Sequence, residues 1–109
     1  MRATAVILFI AGLSSTAWGA STRMYSDENC QNQIDRKVFN GITTGDAPIR
    51  GGVKAIKTDS SSGAWFAYQR NDGTRCTGSR IGKVENNKCI RISDQGIGCT
   101  RLCSGALGC

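Results

Sequence analysis

The chain of 109 residues contains no histidine, so any chemistry must come from carboxylates, thiols, hydroxyls and basic groups. That excludes Ser–His and Cys–His nucleophile systems and an imidazole general base. The acidic residues are Asp27, Glu28, Asp35, Asp46, Asp59, Asp72, Glu85 and Asp94. Two neighbouring carboxylates could work as acid and base, but these are scattered. Nearly all lie in segments of turn composition, where Asp hydrogen-bonds nearby backbone. The expectation is a protein with no catalytic residues and no cofactor.

The six cysteines, Cys30, Cys76, Cys89, Cys99, Cys103 and Cys109, read as three disulfides. A zinc site would need four thiolates at unfamiliar spacings, since there is neither histidine nor a C-x-x-C pair, so no metal is expected. An even count leaves no free thiol for catalysis. Six cysteines allow about 15 pairings. Locality favours Cys103 with Cys109, and Cys30 reaching into the Cys76–Cys99 region. The stretch from Cys76 to Cys109 is therefore the anchor of the domain.

Basic residues outnumber acidic ones, 14 to 8. Arg70, Arg75, Arg80, Lys83, Lys88 and Arg91 fall close together and could form a cationic face for phosphate-rich surfaces, membranes or acidic polysaccharide. The plainer role for such charges is solubility and protection of strand edges. Trp65, Phe66 and Tyr68 could stack on a sugar or a base, or could be the core. Alternation allows only one face of that strand to point inward. The candidate binding residues are Trp65, Arg70, Arg75, Arg80, Lys83 and Arg91, with the Asp59–Gly63 loop as the next candidate.

The elements that must position these residues read as short strands. Residues 64–70 (AWFAYQR) form the clearest one, followed by a hairpin turn at Asp72-Gly73 and a partner strand over 74–77. A second hairpin at Asn86-Asn87 would join 81–85 to 88–92, with Glu85 opposite Lys88 and Ile81 opposite Ile92. Residues 53–57 suit a strand, and 43–48 read as a loop. Residues 27–38 fit either one short helix or a strand, a polar loop through Cys30 and a second strand over 37–39; the strands are preferred. The tail from Asp94 is Gly- and Cys-rich, and its order should come from disulfides more than from a ladder. The fold class is a mainly β, small, disulfide-rich antiparallel domain. A sandwich, a barrel-like form and a Greek key all remain open.

Residues 1–19 read as a secretory signal peptide: Arg2, an apolar run over 5–13, then small residues with Ala17 and Gly19 before the cut. The apolar run is shorter than the roughly 20 residues needed to cross a bilayer. The mature domain would be residues 20–109, with a charge of 13 − 8 = +5 once Arg2 is removed. The compartment is expected to be extracellular and the product a monomer without a membrane span.

Tyr25-Ser26-Asp27-Glu28-Asn29-Cys30 resembles an opening seen in small secreted cysteine-rich proteins of filamentous fungi. Cys76-Thr77-Gly78-Ser79-Arg80-Ile81-Gly82 resembles a second recurrent element of that group. Some members are similar to single Greek-key domains of the βγ-crystallin type, although this chain has Asn32 near the place where that motif wants glycine. The resemblance implies a secreted, effector-like or toxin-like protein acting on another organism. The leading expectation is a non-catalytic, effector-like protein that binds a host protein or surface component, with no nucleic acid as partner. The alternatives are a cationic antimicrobial or membrane-active toxin and an inhibitor of a secreted hydrolase.

Overall fold

A computed structural model describes residues 19–40, 44–61 and 63–103. The expected signal peptide therefore lies outside the described residues, apart from Gly19, and so does Cys109. Eight strands among the described residues form two four-stranded antiparallel sheets. They are β1 (Gly19–Tyr25), β2 (Gln33–Asn40), β3 (Gly45–Pro48), β4 (Ala55–Ser60), β5 (Ala64–Asn71), β6 (Cys76–Val84), β7 (Ile90–Arg91) and β8 (Cys99–Cys103), with one helical turn, α1 (Ile92–Gln95), before β8. The first sheet runs β2-β1-β4-β7 and the second runs β3-β8-β5-β6. The mainly β, disulfide-held domain expected from the sequence is what the chain forms.

Alternation decides what each sheet buries. Ala20, Met24 and Ile56 from the first sheet meet Ala47, Trp65, Ala67, Val84 and Leu102 from the second in one apolar core. Trp65 has no solvent exposure, and its indole N–H donates to the Asp59 carbonyl at 2.8 Å. Its ring lies 6.0 Å from that of Phe39. The buried hydroxyls of Thr22 and Thr100 hydrogen-bond each other at 2.9 Å, one from each sheet. A buried polar group without a partner would cost about 1–3 kcal/mol, so this pair ties the sheets together at little penalty.

Two disulfides fix the periphery. Cys30–Cys89 spans 59 residues and joins the β1–β2 loop to the segment before β7. Cys76–Cys99 spans 23 residues and links the edge strand β6 to the inner strand β8 on the outer side of the second sheet. Cys103 is also disulfide-bonded. Its expected bridge to Cys109 involves a residue outside the described ones. The expectation that Cys30 reaches into the Cys76–Cys99 region is met by Cys89.

Several sequence expectations change. The helical alternative over 27–38 gives way to a loop followed by β2, and the one short helix among the described residues is α1 instead. Asp27 organises that loop by accepting the backbone N–H groups of Asn29, Gln31 and Asn32. Residues 45–48, read as loop, form β3, an edge strand with Pro48 at its end, where a missing N–H is tolerated. The second hairpin does not form: β6 pairs with β5, whereas β7 pairs with β4 in the other sheet. Asn86-Asn87 thus sits in a crossover between sheets, and Ile81 and Ile92 share no ladder. The Glu85–Lys88 ion pair is nevertheless present at 3.4 Å. The tail was expected to lean on disulfides, yet Cys99–Cys103 forms β8, an inner strand of the second sheet.

Candidate functional site

The residues of interest lie on the outer face of the second sheet. With Trp65 and Ala67 turned inward, β5 must present Phe66 and Tyr68 on the other side. The register sets Phe66 opposite Arg101 on β8 and Lys83 on β6, and Tyr68 opposite Cys99 and Arg80. Asp46 on β3 faces Arg101 from the far side. A row of alternating rings and cations follows from four strands in register.

The geometry is well defined. The Arg80 guanidinium stands 4.5 Å from the Phe66 centroid and 6.0 Å from that of Tyr68. The Arg101 guanidinium lies 4.7 Å over Tyr68. Both donate to the Tyr68 hydroxyl oxygen, Arg80 Nε at 3.4 Å and Arg101 at 3.3 Å. Arg101 also grips Asp46 in a two-pronged ion pair at 2.7 and 3.1 Å. Burial alone would raise the Asp46 carboxyl. The Arg101 hydrogen bond and the Cys76 backbone N–H outweigh it and hold the group below its ordinary value. Beneath this row, Tyr68, Phe66 and the Cys76–Cys99 disulfide pack as a small apolar cluster. The rings and the disulfide form a rigid floor on which the guanidinium groups rest, each cation over a ring being worth roughly 0.5–2 kcal/mol.

The neighbouring cations extend the face. Arg75 is close enough to Asp46 to help hold that carboxylate ionised. It follows a turn in which the Asp72 carboxylate accepts the N–H groups of Thr74 and Arg75 at 2.9 and 2.8 Å. Those two hydrogen bonds hold the Asp72 carboxyl below its ordinary value. The expected hairpin at Asp72-Gly73 is present, but its loop is residues 72–75, closed by the Asn71–Cys76 pair, and the partner strand expected over 74–77 is β6, which starts at Cys76 and runs to Val84. Arg70 lies across β6 at Gly78, where a side chain would come within 3.4 Å of the guanidinium. Gly78 also has φ +79°, a conformation that favours glycine. Among the described residues, Arg70, Arg75, Arg80 and Lys83 have no ion-pair partner, and all four are exposed.

Two of the sequence candidates do not belong to this face. Trp65 is core, because its strand face is the inner one, and it is removed from the surface set. Arg91 sits on β7 in the other sheet, paired with Asp94 at 3.3 Å and Glu28 at 3.8 Å. Arg70, Arg75, Arg80 and Lys83 remain together. The sequence reading missed Arg101 and Asp46 because it made their segments a tail and a loop. The signal that might have found them is the apolar–polar alternation of Cys99-Thr100-Arg101-Leu102-Cys103. Of the segment read as a loop from Asp59 to Gly63, Asp59 and Ser60 close β4, and Asp59 receives Arg23 at 3.1 Å and the Ser21 hydroxyl at 2.9 Å.

A polar cleft of about 390 Å³ opens beside Lys83, lined by Glu85, Lys88, Arg91 and Asp94. Its charges largely satisfy one another. No protein-family model, curated protein or solved structure compared with this chain matches it.

Proposed function

We propose that this is a secreted, non-catalytic, effector-like protein that binds a target of another organism through the outer face of the second sheet. The observation that carries the reading is the meeting of Arg80 and Arg101 at the Tyr68 hydroxyl, each stacked on a ring. Solubility alone asks nothing of where a guanidinium rests. A cation held over a ring and hydrogen-bonded to a fixed hydroxyl loses little freedom on binding, and that favours recognition. The disulfides and the signal-like start of the sequence support an extracellular destination. No helix among the described residues is long and apolar enough to cross a membrane.

The excess of cations favours a second reading, a membrane-active toxin. Labelled, oxidised protein applied to cells and extract of a candidate target organism separates the two. The proposed function expects a retained host component, lost in Arg80→Ala, with anionic liposomes left sealed. Leakage at micromolar protein with nothing retained from the extract would establish the toxin instead.

A further inference from the structure

The outer face of the second sheet is arranged for a polymer of negative charges. Phe66 lies under Arg80 at 4.5 Å and Tyr68 under Arg101 at 4.7 Å, so neither ring is open to a nucleobase or an apolar side chain on that side. The exposed large hydrophobic among the described residues is Val38, on β2 of the other sheet. Among the described residues the cationic face therefore has no exposed apolar anchor of the kind that centres a protein interface or enters a bilayer. Its carboxylate, Asp46, is already neutralised by Arg101. Arg80 spends Nε on Tyr68 and keeps its two terminal amino groups for a ligand. Lys83 lies opposite Phe66 and Arg80 opposite Tyr68, two residues of β5 apart across a bulge in β6, whereas Arg75 lies beyond the Asn71–Cys76 pair, so the row from Lys83 to Arg75 spans at least the five strand steps from Phe66 to Asn71, about 16 Å. One small anion does not bridge that distance, whereas successive charges on a polymer do.

We propose that this face binds an acidic polysaccharide, laid along β6 with its carboxylates or sulfates on Arg80, Lys83 and Arg75. The inference rests on the outer face being the functional surface, as proposed above. The rigid sheet, held beneath by Cys76–Cys99, needs no reordering to accept an extended chain.

The test uses the oxidised protein passed over immobilised polygalacturonate, heparin and neutral dextran, with a salt gradient. The variants are Arg80→Ala, Lys83→Gln and the charge-matched Lys54→Gln, whose site lies at the apolar pocket lined by Val53, Ile92 and Ile97. Their disulfide content and unfolding midpoints are measured alongside. Lys83 makes no ion pair among the described residues, so Lys83→Gln keeps the test valid even if Arg80→Ala folds poorly. The proposal expects retention on one or both acidic polymers and none on dextran. It also expects roughly tenfold weaker binding for each face variant, with Lys54→Gln unchanged. Retention on polygalacturonate alone assigns uronates, and on heparin alone assigns sulfates.

Equal loss in Lys54→Gln would show mere net-charge attraction and overturn the proposal. Tighter binding to double-stranded DNA or to anionic vesicles than to either polysaccharide, at equal charge, would also overturn it. If neither polysaccharide is retained while Arg80→Ala still abolishes action on target cells, this inference fails and the functional surface stands. If the face variants change neither property, both fall.

Discussion

The two faces of β5 differ in chemistry while sharing one backbone. Trp65 and Ala67 turn inward, make the centre of the core and hydrogen-bond only within the fold. Phe66 and Tyr68 turn outward, yet they are covered as well, by guanidinium groups rather than by a second sheet. An aromatic on the inner face contributes by removing apolar area from water. One on the outer face contributes by holding a cation in place, which adds little stability and much order. The inner row is thus scaffold, and the outer row is the surface proposed to bind. The contrast is set by strand parity, and each side can be broken separately.

The largest effect is expected on the inner face. Trp65→Ala leaves a cavity in a fully buried site and should cost about 3–5 kcal/mol, seen as a lower denaturant midpoint and a poor yield of oxidised protein. A fold that keeps its midpoint would contradict the core assignment. Next comes the pair Cys30→Ser with Cys89→Ser. Opening a loop of 59 residues should cost roughly 4 kcal/mol in the chain-entropy model. Cys89 lines the cleft beside Lys83, so opening this bridge should weaken binding at Lys83 more than at Arg80, whose guanidinium rests on Phe66.

A smaller effect belongs to Asp46. Its folded-state carboxyl lies below the ordinary value of 3.8. The stabilisation is therefore complete above that value and is lost as pH falls through the lower folded one. Asp46→Asn should cost about 2 kcal/mol at neutral pH and flatten part of the acid-side loss of stability below about pH 4. Asp27 and Asp72 are lowered too, by backbone N–H groups, and keep the rest of that slope. Unfolding midpoints measured from pH 2 to pH 7 check this. An unchanged acid slope would remove Asp46 from the account.

The same contrast explains how much the sequence disclosed. Strand β5 was legible because Trp65-Phe66-Ala67-Tyr68 alternates large side chains on both faces, and Asp72-Gly73 marked its turn. Four cationic residues of the face, Arg70, Arg75, Arg80 and Lys83, were legible as a cluster. The side to which Trp65 points was not, because alternation fixes relative facing and leaves the inner face undetermined. Strand β8 was hidden for a different reason. Its glycine-rich flanks look like a tail, and its place between β3 and β5 is fixed by pairing with residues far away in sequence. The Asn86-Asn87 turn misled because a local turn signal does not say to which sheet the next strand goes. Arg101 and Asp46 therefore became visible as a pair only when those long-range partners were in place.

In the proposed division of labour the outer row of β5 and its neighbours act while the inner row supports. This division is tested most directly by pairing two measurements on Arg80→Ala combined with Lys83→Gln: the unfolding midpoint, and binding to cells of the target organism. The account predicts a midpoint within about 1 kcal/mol of wild type, because both side chains are exposed, and a loss of binding that Arg91→Gln on the other sheet does not reproduce. A folded double variant that binds those cells as well as wild type would contradict it.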